Sequence, residues 1–310
     1  MFFFQVQTVD ICILFLVKEI CVEAINNPIR IEGYARKVFK DELPTNKSIK
    51  KAVKKGTIRI NNSKIPSSHW MKNGELIQLW DLEELPPKPF DIDLEIVFED
   101  HFFAVINKPA GICVSGNQFR TIQNGVVSLL QKTNETDALN WPKPVHRLDK
   151  ATSGLLVIAK TRSAMSNLGM QFEARTIKKS YHAIVHGSTP SSGTLDASIK
   201  GQSAVTRYDK ILEVPSLRNN TITLLKLAPE TGRTHQIRLH CSQIGNPILG
   251  DQLYAAKTKT NKGLFLAATG IQFKHPKSQK TVSFSIPFPN KFKAQLDREQ
   301  RRWTKYNTPE

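Results

Sequence analysis

The chain has 310 residues, enough for one large domain and a smaller one. A composition of 40% hydrophobic and 23% charged residues is that of an ordinary globular protein; it excludes wholesale disorder, a collagen-like rod and a multi-span membrane protein, and four cysteines are too few for a disulfide scaffold. Lysine and arginine number 44 against 27 aspartates and glutamates, a formal net charge of +17 that suits a polyanion, either nucleic acid or an anionic membrane face.

The first notable segment is the apolar run of seven from Ile11 to Val17, flanked by Asp10 and Lys18-Glu19. A spanning helix needs about 20 apolar residues, and no lysine or arginine precedes Asp10 to make the basic start of a signal peptide. The run reads as a buried strand or an N-terminal extension, set at residues 1–27. No membrane partner is expected. Cys12, Cys21, Cys113 and Cys241 include no pair at zinc-ribbon or redox spacing and read as reduced thiols of a cytoplasmic protein.

A helix is expected over residues 34–41 and a second over 49–55, capped by Thr45 or Ser48 and ended by Gly56. Strands follow at 57–60 and 75–80, with a turn at Asn61-Asn62. Between residues 43 and 74 the chain carries eight basic residues and no acidic one: Lys47, Lys50, Lys51, Lys54, Lys55, Arg59, Lys64 and Lys72. Such an uncompensated run favours phosphate binding over a merely solvated face. Residues 85–90, with Pro86, Pro87 and Pro89, form a stiff linker.

Beyond the linker, strands are expected at 94–98, 103–107, 155–160, 181–186, 205–212, 222–227, 264–273 and 282–286, and helices at 121–131, 163–173 and 234–244. Runs of strands with few helices between them give an α+β domain around a mixed, mostly antiparallel sheet rather than a strictly alternating Rossmann arrangement. Residues 291–305 hold six basic and two acidic residues and read as a basic helix.

Three clusters could carry chemistry. In His146-Arg147-Leu148-Asp149-Lys150-Ala151-Thr152-Ser153-Gly154, Asp149 is the one carboxylate within ten residues on either side. Flanking cations should keep it ionised, able to attack or to stabilise a cationic sugar. A structural aspartate, paired to Arg147 or capping a turn, would look the same. The second cluster runs from Thr231 through Gly232-Arg233-Thr234-His235-Gln236-Ile237-Arg238. On a helix capped by Thr231 or Thr234, residues Thr234, Arg238 and Ser242 share a face, so Arg238 can point inward at a buried carboxylate. His235 and His240, like His182 and His186, are spaced poorly for a shared metal and read as packing or surface residues. The third is the strand around Tyr181, whose ring could stack on a base or fill the core.

These clusters, in this order and spacing, resemble the RluA family of RNA pseudouridine synthases over residues 94–289. The match continues through Ile244-Gly245 to Pro247-Ile248-Leu249-Gly250-Asp251. Residues 48–79 are more loosely similar to the α-L RNA-binding fold of ribosomal small-subunit protein four. Glu75 stands where aspartate is common, and the expected arginine-leucine-aspartate opening is absent near Ile31-Glu32-Gly33. The division expected is therefore an extension at 1–27, an α-L domain at 28–84, a linker at 85–90 and a catalytic domain at 91–310.

The resemblance implies isomerisation of uridine within RNA, without cofactor or metal. An added RNA-binding module suits a large structured target, so ribosomal RNA is the first choice of partner and transfer RNA the second; a monomer is the default. It makes Asp149 the catalytic aspartate, Tyr181 the residue packed against the base and Arg238 the partner holding Asp149. Arg147 would fill the gap left by the extruded uridine. His146, Thr152 and Arg233, with Lys50, Lys51, Lys54, Lys55 and Arg59 of the N-terminal piece, complete the expected RNA-binding set. Two rivals remain: an idle RNA binder, and a base-removing hydrolase, which would need a second carboxylate on the order of 5–10 Å from the first.

Overall fold

A computed structural model describes residues 7–9, 12–23, 25, 27–82, 87, 89–255 and 262–307. The chain divides into two compact units, Met1–Lys88 and Pro89–Glu310.

In the first unit the order is β1 (Gln7–Val9), β2 (Cys12–Cys21), α1 (Ile31–Val38), α2 (Asn46–Lys55), β3 (Ile58–Ile60), β4 (Ser63–Lys64) and β5 (Leu76–Leu82). The strands form a sheet in the order β1-β2-β5-β3-β4. Ile31 and Ala35 of α1 and Phe39 at its C-terminal cap recur every four residues, and Ile49, Ala52 and Val53 follow helical spacing on α2. These faces pack with Ile58, Ile60, Ile77 and Leu79 of the sheet to make the core. Thr45 caps α2 and exchanges bonds with Ser48, and Gly56 closes the helix in the left-handed region at φ 71°. The N-terminal segment is joined to this unit, because β2 pairs with β5 from Leu14↔Leu82 to Cys21↔Leu76. It is not the buried strand the sequence suggested at its C-terminal end, where Leu16 and Val17 are exposed. Most of the linker, residues 83–86 and 88, lies outside the described residues.

The second unit runs β6 (Glu95–Glu99), β7 (Phe103–Lys108), α3 (Ile122–Leu129), β8 (Ala138–Pro144), β9 (Ser153–Thr161), α4 (Arg162–Glu173) and β10 (Lys178–His186). It continues with β11 (Ser192–Leu195), β12 (Thr206–Ser216), β13 (Asn220–Pro229), α5 (Gln236–Gln243), β14 (Leu266–Lys274), β15 (Thr281–Ser285) and α6 (Asn290–Asn307). The main sheet is ordered β11-β12-β13-β10-β14-β9-β7-β6, with β15 beside β14 and β8 beside β9.

β7 and β9 are apolar on both faces. Ala104, Ile106, Leu156 and Ile158 pack against α3, while Phe103, Val105, Leu155 and Val157 pack with Leu168 of α4. That two-sided burial produces their unbroken hydrophobic runs. No described helix is long and apolar enough to cross a membrane.

The pairing is antiparallel except where β9 meets β14, at Ala267↔Ser153 and Ala268↔Gly154. Gly154 is required there. It sits at φ 116°, and a Cβ on it would fall 2.0 Å from the Ala268 carbonyl oxygen. A row therefore crosses the sheet from Gly154 through Ala268 to Tyr181, Leu227 and Tyr208.

Candidate active site

The three sequence clusters meet at that row. Before β9, residues 149–152 make a turn in which the Thr152 N–H donates to the Asp149 carbonyl at 3.0 Å. The turn is pinned from below. The Lys150 carbonyl accepts the Gly111 N–H at 2.7 Å and receives the Lys108 ammonium at 3.4 Å. Lys108 is fully buried and also donates to the carbonyls of Pro109 and Ile112, at 2.8 and 2.9 Å. Burial lowers its pKa to about 8, against the opposing pull of Cys113 and Asp149. Lys108 was missed in the sequence because it lies 41 residues before Asp149, in an unremarkable strand end.

The Asp149 side chain is 19% exposed and faces two nitrogens without bonding either: His235 Nε2 is 3.7 Å from Oδ1, and Arg238 Nη1 is 3.7 Å from Oδ2. Both separations exceed hydrogen-bond length. The firm partner of Arg238 is Asp251, reached by Nε at 2.8 Å and Nη2 at 2.7 Å in a two-pronged pair. Asp251 Oδ1 also accepts the backbone N–H groups of Leu253 and Tyr254, at 2.9 and 3.1 Å. Burial alone would lower the Arg238 pKa, but Asp251, Asp149 and Tyr254 hold it above the usual value. Burial pushes Asp251 the other way, and Arg238 with the two N–H groups outweighs it, keeping the carboxyl below its usual range. The Tyr254 ring lies 5.1 Å from the guanidinium carbon, and the Tyr254 hydroxyl is 2.9 Å from His235 Nδ1.

Arg238 thus does point inward at a carboxylate, but the aspartate it grips is Asp251. His235 also proves to be at the site rather than in ordinary packing. It stands at φ 57°, at the entrance of α5, with no side-chain cap. Thr234 lies before the helix, and Thr231 does not cap it either. Gln236 closes the helix start instead: its Oε1 accepts the Arg233 N–H at 3.0 Å and the Thr231 hydroxyl at 2.7 Å. The other histidines are elsewhere: His240 is buried between Thr206 and Ala197, and His182 bonds Thr269.

Tyr181 packs where two apolar clusters meet. Burial, and secondarily the charge of Asp149, raises its phenol above the usual range. Arg147 is exposed. Arg233 is half-buried with Nε on the Ser203 carbonyl at 3.1 Å. The Thr152 hydroxyl is buried without a hydrogen-bond partner among the described residues.

Two expected RNA contacts are committed internally. The His146 Nε2 accepts the Val157 N–H at 3.0 Å and its ring stacks on Phe172, so it fastens the segment to β9. Arg59 is 6% exposed and bonds the carbonyls of Gly56 and Asn62 beneath Trp80, so it belongs to the fold of the first unit. Lys50, Lys51, Lys54 and Lys55 are all exposed along α2. Among the described residues, no group of three or more His, Cys, Asp or Glu side chains is arranged to hold a metal.

Comparison with known proteins decides the family. Residues 102–243 match the family described as RNA pseudouridylate synthase. An uncharacterized RNA pseudouridine synthase of Aquifex aeolicus is 32% identical over 276 residues, covering 79% of this chain and 86% of that one. The chain belongs to the RNA pseudouridine synthases. A ribosomal large subunit pseudouridine synthase D of Zymomonas mobilis is 38% identical over 65% of this chain and 71% of its own. A ribosomal large subunit pseudouridine synthase C of Vibrio parahaemolyticus is 30% identical over 86% of this chain and 91% of its own. The fold agrees: human RNA pseudouridylate synthase domain containing 4 superposes with a TM-score of 0.54 at 24% identity, over 66% of this chain and 92% of that one. As a pseudouridine synthase the protein is an isomerase acting on RNA.

Proposed function

We propose that the protein isomerises uridine to pseudouridine in ribosomal RNA, with Asp149 as the catalytic carboxylate. The observation that carries this is the carboxylate's setting: partly exposed, beside Tyr181, and facing Arg238 and His235 at 3.7 Å without a hydrogen bond to either. That spacing leaves both oxygens available to a ribose. In the reaction the bond from ribose to a uracil nitrogen breaks and a bond to a ring carbon forms, while the carbon's proton leaves and the nitrogen gains one. Asp149 stabilises or captures the ribose as the base departs. Arg238, fixed by Asp251, keeps a cation beside the carboxylate throughout.

Tyr181 packs against the base. Its raised phenol stays protonated, so it serves as a hydrogen-bond donor. Arg147 fills the space the extruded uridine leaves; extrusion costs a few kcal/mol and is cheapest in loops.

A base-removing hydrolase is disfavoured by the same geometry. A second carboxylate, Asp251, does converge on the site, but its side chain is fully buried and both its oxygens are occupied. Fully buried and paired to Arg238, it has no access to the water that acid–base work would need.

The first unit is proposed as an RNA-binding module of the α-L kind at 28–84, enlarged by β1 and β2, with Lys50, Lys51, Lys54 and Lys55 contacting phosphates. Ribosomal RNA is favoured because the relatives from Zymomonas mobilis and Vibrio parahaemolyticus are named for the large ribosomal subunit. Those relatives also support action in the cytoplasm. A monomer suffices, since Asp149, Tyr181 and Arg238 come from one chain. The test is to incubate the protein with unmodified ribosomal RNA and with transfer RNA, treat with carbodiimide and map reverse-transcription stops. New stops in ribosomal RNA are expected; stops only in transfer RNA would move the substrate, and release of free uracil would replace the isomerase by a hydrolase.

A further inference from the structure

We propose that Lys179 is the floor of an anion site that holds a backbone phosphate of the RNA next to the reacting uridine, a site that rests on the RNA-modifying reading above. Lys179 lies on β10, two residues before Tyr181. Its side chain runs between the other two clusters. Nζ is 3.9 Å from where a Cβ on Gly232 would stand, and its charge acts on the His146 ring.

Lys179 is half-buried, and its contrast with the other buried and half-buried cations carries the argument. Lys108 has three carbonyls, Arg238 has Asp251, Lys160 has Glu99 at 2.6 Å and the Asp100 carbonyl, and Lys291 has the carbonyls of Lys262 and Leu264. Lys179 has no hydrogen-bond or ion-pair partner among the described residues. Burial acts on it alone and lowers its pKa, with no carboxylate raising it back. A cation partly withdrawn from water without a counter-charge costs free energy. The fold keeps such a cation where two further ones leave the same segments: Arg147 follows His146, and Arg233 follows Gly232. Glu230, the acid in that stretch, is turned to Arg207 at 2.6 Å.

A lysine is a point charge that suits a phosphodiester oxygen. Gly232 presents no side chain toward the ammonium, so a phosphate can approach from that side. The three cations then grip the backbone on one side of the flipped nucleotide while Asp149 meets its sugar.

The test compares wild type, Lys179→Gln and Lys179→Arg, with ribosomal RNA as the probe. Lys179→Gln should raise KM about tenfold with kcat nearly unchanged. It should also flatten the plot of log Kd against log salt by about 0.7, the share of one single-strand phosphate. Lys179→Arg should restore both. An unchanged KM and salt slope in Lys179→Gln, with modification activity intact, would overturn the site and leave the enzyme reading standing. If wild type modifies no RNA but the salt slope still depends on Lys179, the site stands and the enzyme reading fails. Inorganic phosphate binding tightly in a Lys179-dependent way, with no change in RNA slope, would reassign the pocket to free phosphate and overturn the proposal.

Discussion

Asp251→Asn tests how the site is held together. The substitution keeps the shape and removes the charge. In the native site Asp251 receives four donors: Arg238 Nε and Nη2, and the N–H groups of Leu253 and Tyr254. An amide has one acceptor oxygen and one donor NH2, so whichever way it turns, an NH2 faces a donor. The side chains of Arg238 and Asp251 are 6% and 0% exposed, so water cannot repair the loss.

Breaking a buried ion pair from one side costs about 3–5 kcal/mol. For a unit spanning residues 89–310 that is a fall in Tm of about 6–20 °C, at roughly 2–4 °C per kcal/mol. Arg238 is then left with Asp149 as its nearest carboxylate. Closing the 3.7 Å gap would occupy the oxygen that the proposed mechanism leaves to the ribose. The expected result is at least a tenfold fall in single-turnover rate, about 1.4 kcal/mol, at a temperature where the variant is folded. Thermal unfolding and pseudouridine formation measure the two effects. A Tm within about 2 °C of wild type and a normal rate would refute the reasoning.

Other outcomes follow from the same geometry. Gly154→Ala would drive a Cβ to 2.0 Å from the Ala268 carbonyl and leave alanine at φ 116°. Overpacking and backbone strain together predict a loss of about 2–6 kcal/mol, read by denaturant unfolding. His146 titrates at about 3 instead of 6.5, through burial and then the charge of Lys179. The unfolded chain therefore takes up a proton near pH 6.5 that the folded chain refuses until about pH 3. Its contribution is complete above pH 6.5 and is lost as the pH falls toward 3, by at most about 1.4 kcal/mol per pH unit. His146→Gln should flatten that part of the stability profile; an unchanged slope would contradict the assignment. Replacing Lys50, Lys51, Lys54 and Lys55 by alanine should weaken RNA binding and reduce its salt slope by about 0.7 for each phosphate no longer neutralised.

Much of the architecture was legible from periodicity. The strand runs 103–107 and 155–160 stand out because both faces of β7 and β9 are buried, and α2 is marked by its cap and its terminal glycine. β8 was not legible because Pro142 and Pro144 argue against a strand; it survives beside β9 with an irregular register. β11, with its Ser-Gly start, carries too little apolar pattern to be seen.

The family resemblance pointed to Asp149, Tyr181 and Arg238, which the fold brings together, but the grip of Asp251 on Arg238 could not be read, since it joins residues 13 apart across a loop. His235 and Lys108 were hidden for the same reason: their parts depend on a left-handed backbone turn and on where loop carbonyls converge. Arg59 and His146 show the converse. A basic residue beside a motif looks available until its backbone acceptors or donors are located.

The central claim is tested most directly by Asp149→Asn under single-turnover conditions, with RNA affinity measured on the same sample. The account predicts no detectable pseudouridine while Kd stays within a few fold of wild type. Pseudouridine formed at the wild-type rate would contradict it.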